Sequence, residues 1–184
     1  MKHFLILSAS LGLSLSLSAQ QINTFPTDYE CLYEYKVTNS RFITDTYTTI
    51  LQIGRDCSCF VDYTAFQSDS VNASPHASDE DIKKYQMRKM KNSLFFDQTV
   101  LQNHPQGEIS VYSVIPPDYY MYKEKLHPIQ WSLGNETDTV CGYVCKKATG
   151  EYGGRKWVVW YSPEIPTTYG PWKFCGLPGL VMLA

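Results

Sequence analysis

The chain has 184 residues, a formal net charge of −2 and an aromatic content of 14%. This length predicts a single domain with one core. The mildly acidic charge gives no support for binding to nucleic acid.

The first residues have the pattern of a secretory signal peptide. Two basic residues after the first methionine precede an apolar run over residues 4–17, and small residues follow it. Cleavage is expected at Ala19 or Gln20, so residues 1–19 form the signal and residues 20–184 the mature domain. The apolar run is too short and too rich in serine to favour a membrane span. Because no cysteine lies at the cleavage point, we expect an exported periplasmic or outer-envelope protein that is not a lipoprotein.

The first part of the mature domain predicts mainly β-strands. Apolar and polar residues alternate over residues 29–37, which predicts a half-buried strand. Threonine, tyrosine and β-branched residues predict two more strands, over residues 42–53 and 57–63. Residues 66–78 are rich in Ser, Asp and Asn, which is typical of an exposed loop. Ser78 precedes three acidic residues and begins the one predicted helix, since acids favour a helix N-terminus.

The second half of the chain predicts further strands and a central hairpin. Strands are expected over residues 94–101, 108–115 and 119–126. A hairpin follows over residues 140–161, where closely spaced glycines supply the positive φ angles that its turn requires. About eight strands with one short helix predict a mainly β fold of the α+β kind. We expect a curved antiparallel sheet or half-barrel with the helix packed on it, and a flat sandwich is the alternative.

A segment rich in proline and glycine follows the hairpin. Residues 163–179, here called the Pro/Gly segment, contain four prolines and three glycines, which fix φ and allow sharp reversals. Their aromatic content exceeds what a solvated loop carries, so we expect the segment to fold back over one end of the core. The same aromatic excess makes this region a candidate ligand site, although the residues equally suit a core. The candidate contacts are Trp160, Tyr161, Glu164, Tyr169, Trp172 and Phe174.

The hairpin and the Pro/Gly segment share a multi-part motif with a known family. The parts include Cys145 to Ala148, Glu164-Ile165-Pro166 and the ending Gly176-Leu177-Pro178-Gly179-Leu180-Val181. Their number and spacing mean that the chain resembles the GLPGLI family of Bacteroidetes, a Porphyromonas gingivalis-type family of exported proteins. That family has no established activity, and its members continue beyond this motif, so a C-terminally truncated domain is expected. The motif positions are Arg155, Gly170, Pro171, Gly176, Leu177, Pro178, Gly179 and Leu180.

Six cysteines in an exported protein indicate disulfide bonds. On one extended strand, Cys141 and Cys145 would lie roughly 13 Å apart, too far to bridge. Cys145 and Cys175 both belong to the stretch that resembles the family. A bridge between them is the predicted pairing, because it would pin the Pro/Gly segment to the hairpin.

Two other cysteines and two methionines have metal binding as an alternative role, because sulfur is a soft ligand. Cys57 and Cys59 share a strand face, and Met87 and Met90 lie about one helical turn apart, a set that suits Cu(I). Ordinary packing of these side chains is the favoured interpretation, so no cofactor is expected. Motifs of serine hydrolases, zinc proteases and phosphate-binding loops do not occur in the sequence.

Three functions therefore stay open, in decreasing order of preference. The first is a non-catalytic binding or interaction module for a small apolar ligand, a peptide or an envelope protein. The second is a copper carrier, and the third is a hydrolase that uses Glu164 as an acid. In addition, Asp69-Ser70-Val71 and Asp138-Thr139-Val140 resemble sites at which Bacteroidetes O-glycosylate exported proteins, which makes Ser70 and Thr139 candidate glycan acceptors.

Overall fold

The structure, a computed structural model, describes residues 25–38, 40–92, 96–115 and 117–184. The predicted signal peptide lies outside these residues. Six strands form one antiparallel sheet in chain order, here called sheet 1: β1 (Tyr29–Thr38), β2 (Thr44–Ile53), β3 (Ser58–Asp62), β4 (Thr99–Gln102), β5 (Glu108–Ile115) and β6 (Asp118–Lys125). Two helices separate β3 from β4: α1 (Tyr63–Ala73) and α2 (Asp79–Asn92).

The remaining strands form a second antiparallel sheet, sheet 2. Its strands are β7 (Ser132–Val140), β8 (Tyr143–Tyr152), β9 (Arg155–Ser162) and β10 (Leu180–Leu183), in the spatial order β10-β9-β8-β7. The predicted hairpin is β8–β9, and its turn residues Gly153 and Gly154 have φ angles of 58° and 71°. Both values are in the left-handed region that glycine adopts without steric cost. The mainly β fold is confirmed, with two open sheets and two helices in the described residues.

Part of the predicted loop over residues 66–78 is helical. Helix α1 begins directly after β3, and the Asp62 Oδ1 atom caps it by accepting from the backbone N–H of Ala65 at 2.9 Å. The polar composition of α1 predicted a loop instead of a helix. Ser, Asp and Asn favour turns unless a cap and tertiary packing offset their low helix propensity. Ser70 therefore lies on a helix, where its hydroxyl donates to the carbonyl of Phe66.

The Pro/Gly segment contributes to the core of both sheets. Cys175 packs with the sheet 1 core, which includes Leu51 and Val111. Phe174 and Leu177 pack with the sheet 2 core around Val159. The segment thus lies between the two sheets, and each sheet buries an apolar face against it. The sequence predicted a segment folded back over one end of the core.

Candidate functional site

Side chains from both sheets hold the backbone of the Pro/Gly segment. The buried amide of Gln102, on β4, donates to the carbonyls of Gly170 and Trp172, both at 2.8 Å. The indole N–H of Trp131 donates to the carbonyl of Cys175 at 2.9 Å. Since a loop has no regular ladder, such bonds satisfy backbone groups that burial would otherwise leave unpaired.

Lys173 forms a buried ionic cluster between the sheets. Its side chain is 3% exposed and makes an ion pair with Glu124 of β6. Its Nζ also donates to the hydroxyls of Tyr152 at 2.7 Å and Tyr122 at 3.0 Å. Tyr152 in turn donates to the second oxygen of Glu124 at 2.5 Å. The cluster therefore connects β6 of sheet 1, β8 of sheet 2 and the Pro/Gly segment through one ammonium group.

Aromatic rings complete the surroundings of this ammonium. The rings of Tyr122, Tyr152 and Trp172 have centroids 4.8, 5.0 and 5.4 Å from the Lys173 Nζ. Burial lowers the pKa of Lys173, but its hydrogen bonds to Glu124 and the two tyrosines outweigh that effect and raise the pKa above its ordinary value. The amine is thus held protonated at neutral pH, as the ion pair with Glu124 requires.

The predicted ligand contacts are largely engaged within the protein. Tyr161 and Phe174 are 3% and 5% exposed and belong to the sheet 2 core. Tyr169 donates its hydroxyl to the carbonyl of Asp56 at 2.6 Å. Trp172 donates its indole N–H to the side-chain oxygen of Gln98 at 3.0 Å, while Trp160, on β9, is half-buried.

Glu164 does not lie in an apolar pocket. Its side chain is exposed, and Oε1 accepts a hydrogen bond from the backbone N–H of Val144 at 3.1 Å. A raised-pKa acid of the kind that the hydrolase hypothesis requires needs burial in an apolar environment. The exposed position of Glu164 does not favour that hypothesis. The family-motif residue Arg155 is likewise exposed, at the first position of β9.

The predicted Cys145–Cys175 bridge is absent from the structure, in which all six cysteines are free thiols. Cys175 packs against the core of sheet 1, whereas Cys145 lies on β8 with its Sγ 3.6 Å from the carbonyl oxygen of Tyr143. Burial raises the pKa of the Cys175 thiol to about 11. The hydrogen bonds of Gln102 and Trp131 fix the segment that the bridge was expected to tether.

The position of Cys141 differs from the one that the sequence predicted. Cys141 has a φ of 51° and Gly142 a φ of 84°, so both lie in the turn between β7 and β8. Cys141 and Cys145 are therefore not on one extended strand, and the expected separation of roughly 13 Å does not apply to them.

The four sulfur atoms of the copper hypothesis lie in unlike environments. Cys59 is buried in β3 and Cys57 is half-buried before it, whereas Met87 and Met90 are 63% and 71% exposed on α2. Burial, followed by the nearby Cys57, raises the pKa of Cys59 to about 12, which disfavours the thiolate that a metal requires. Among the described residues, no group of three or more His, Cys, Asp or Glu side chains is arranged to hold a metal ion.

A groove lies between the two helices and one end of sheet 1. It has a volume of about 440 Å³, with α1 and α2 on one side and residues of β4, β5 and β6 on the other. We call it the helix–sheet groove. Its walls carry an acidic group from each of three chain segments, Asp62, Asp69 and Asp97, and one cation, Lys89. Four aromatic rings line it as well: Phe96, Tyr112, Tyr119 and Tyr120.

A second recess of about 420 Å³ lies beside the Pro/Gly segment. Its walls include Trp131, Ile129 and Gly176. The ring of His127 closes over Gly176, since a Cβ added there would lie 2.8 Å from the His127 Nδ1 atom. Of the described residues, Trp131 is the single aromatic wall residue of this recess besides the histidine, so the helix–sheet groove is the better candidate for binding a ligand.

The helices in the described residues are too short or too polar to cross a membrane.

The hairpin turn and the Pro/Gly segment are the part of the chain that relates it to other proteins. Residues 152–183 match a protein family that is described as "Protein of unknown function (Porph_ging)". Residues 152–183 carry the sequence pattern of the Porph_ging family. This confirms the family resemblance predicted from the sequence. The Porph_ging region includes Lys173 and every Pro/Gly segment residue that packs between the sheets.

Two solved structures are similar in fold. One is PNGF-II in space group P21, with a TM-score of 0.53 and 16% identity over 85% of this chain and 25% of that chain. The other is PNGF-II in space group C2, with a TM-score of 0.52 and 16% identity over 83% of this chain and 24% of that chain. The chain thus spans about a quarter of the length of these structures. At this identity the similarity shows the fold alone. No curated protein matches the sequence.

Proposed function

We propose that the protein is an exported, non-catalytic binding module of the cell envelope, and that the helix–sheet groove holds its ligand, a small apolar molecule or a peptide segment. The observation that carries this proposal is the groove itself. A volume of about 440 Å³ is within the range of small-molecule sites, and aromatic walls with a few polar groups are typical of them.

The surrounding structure supports a scaffold role for the Porph_ging region. Most of its aromatic residues and Lys173 pack in the core and join the two sheets, and none of its residues lines the groove. Rigid packing of this kind lowers the cost of binding, because less of the site must be ordered when the ligand enters.

A neutral peptide probe tests the groove directly. The probe is acetyl-Leu-citrulline-Leu-amide, and binding is followed by ¹H–¹⁵N chemical-shift titration of the purified protein. We expect shifts confined to the groove, and weaker binding by Tyr120→Ala. The control is Tyr143→Ala on β8, since Tyr143 is similarly exposed (39% against 46% for Tyr120) but does not line the groove. Equal affinity of the two variants would contradict the placement of the site.

Export is tested separately. N-terminal sequencing of the protein from its native host should show a start at residue 20 or 21, and a chain that still begins at Met1 would contradict the proposal. Native mass spectrometry of the same material should show a co-purified small molecule or peptide if the ligand is retained.

A further inference from the structure

We infer that the helix–sheet groove selects a peptide segment with a cationic side chain, arginine or lysine. This inference rests on the proposed function, because it names the class of ligand for the same groove. Three observations carry it: the charge of the walls, the geometry of Asp97 and the exposed ring on its side of the sheet.

The groove walls are net negative. Asp62, Asp69 and Asp97 contribute three carboxylates, and among the described residues Lys89 is the one cationic residue that lines the groove. Lys89 is already engaged, since its Nζ lies 2.7 Å from the Asp69 Oδ1 atom. A ligand cation would therefore improve the charge balance of the groove, and an anionic ligand would worsen it.

Asp97 is fixed in a position to receive that cation. Its Oδ2 atom accepts from the hydroxyl of Ser113 at 2.8 Å and from the backbone N–H of Val114 at 3.0 Å. Both bonds use one oxygen, and no described residue donates to Oδ1. The carboxylate is thus oriented by β5, and Oδ1 is the oxygen that a ligand cation would approach.

The strand register places one exposed ring on the same side of the sheet as this carboxylate's hydroxyl donor. Tyr120 lies directly opposite Ser113 in the β5–β6 pair and therefore shares its face, whereas Tyr119 lies opposite Val114, on the other face. Tyr120 is 46% exposed. An ammonium or guanidinium group held by Asp97 would lie on the face that carries the Tyr120 ring, and such rings attract cations.

The same fold already holds a cation by this chemistry. Lys173 is bound by the carboxylate of Glu124 and by three aromatic rings with centroids 4.8 to 5.4 Å from its Nζ. In the groove, Asp97 and Tyr120 offer a carboxylate and a ring at a position open to solvent. A peptide is favoured over a bare amine because apolar walls, including Phe96 and Met90, flank the acidic group and suit neighbouring side chains.

A matched pair of peptides tests the inference. Acetyl-Leu-Arg-Leu-amide carries the cation, and acetyl-Leu-citrulline-Leu-amide replaces the guanidinium with a neutral group of nearly the same shape. We expect the arginine peptide to bind at least about fivefold more tightly at low salt, which corresponds to one partly exposed ion pair with a cation–π contribution. The preference should shrink as salt is added, because exposed charges are screened.

Variants assign the preference to the groove. Asp97→Asn keeps an oxygen that can accept from Ser113 and Val114, and it should reduce arginine-peptide affinity to that of the citrulline peptide. Asp45→Asn, on β2 and outside the groove, should leave both affinities unchanged. If Asp97→Asn does not fold, Tyr120→Leu keeps the apolar wall, removes the ring and should lower the preference.

The outcomes separate the two proposals. Equal binding of both peptides would overturn the inference and leave the proposed function standing. Binding of neither peptide would overturn the function itself. A preference for arginine that survives in both Asp97→Asn and Tyr120→Leu would overturn the assignment to Asp97 and the Tyr120 ring.

Discussion

The buried ammonium of Lys173 gives the sharpest prediction about stability. Lys173→Met keeps a side chain of similar length and removes the charge. Glu124 then loses its cationic partner in a region where its side chain is 23% exposed, and two tyrosine hydroxyls lose a donor. Breaking a buried ion pair costs about 3–5 kcal/mol. Because some water reaches Glu124, we expect the lower end, a loss of about 3 kcal/mol in the free energy of unfolding.

Urea unfolding followed by tryptophan fluorescence measures this loss. The control is Lys36→Met, because the Lys36–Glu34 pair has side chains 61% and 69% exposed and should contribute at most about 0.5 kcal/mol. Removing both charges with Lys173→Met and Glu124→Gln together should recover part of the loss, since no uncompensated charge stays buried. If Lys173→Met were no more destabilising than Lys36→Met, the cluster would not hold the sheets together.

Three further predictions concern the thiols and the surface. Burial raises the pKa of Cys175 to about 11 and that of Cys59 to about 12. The stability that these neutral thiols contribute is complete below the unfolded thiol pKa of about 8.5 and is lost as the pH rises towards the folded values, so urea midpoints should fall over that range. In native protein, exposed Cys141 should alkylate first and the buried Cys59, Cys145 and Cys175 last, and a disulfide at Cys175 in a non-reducing peptide map would contradict this order. Glycans at Ser70 or Thr139 should add mass to protein from the native host, and an unmodified intact mass would end that prediction.

Local patterns predicted the elements that depend on neighbouring residues. The β8–β9 hairpin follows from β-branched and aromatic strands around Gly153 and Gly154, whose positive φ angles a turn requires. The inward fold of the Pro/Gly segment follows from its apolar content, which has to be buried. Both depend on short stretches of chain, where composition and structure are directly linked.

Contacts between distant parts of the chain were not predicted from the sequence. Lys173 meets Glu124 and Tyr152, which are 49 and 21 residues away, and no local pattern marks such partners. The helix–sheet groove depends on α1, whose polar sequence favours a loop until the Asp62 cap and the neighbouring helix α2 are in place. Asp97 gains its role only when β5 supplies Ser113 and Val114.

The tight packing of the Pro/Gly segment leads to a last prediction, for Gly170. This residue has no left-handed backbone conformation, so its glycine is required by space rather than by φ. A Cβ added there would overlap the backbone carbonyl oxygen of Phe174, and it would also lie 3.3 Å from the side chain of Val181. Neither neighbour can move freely, because Phe174 and Val181 both belong to the sheet 2 core.

Gly170→Ala should therefore destabilise the protein by about 3 kcal/mol or more, at the upper end of what overpacking a core costs. Gly134→Ala on β7 is the matched control, since its backbone is also outside the left-handed region and the added Cβ would lie 3.2 Å from the carbonyl oxygen of Lys147. That contact needs a shift of only a few tenths of an ångström, so we expect a change below about 1 kcal/mol. Hydrogen exchange of the two variants should show the difference first in the amides of β10 and the Pro/Gly segment. Equal stability of the two variants would mean that the segment yields to an added methyl group and does not fix the distance between the sheets.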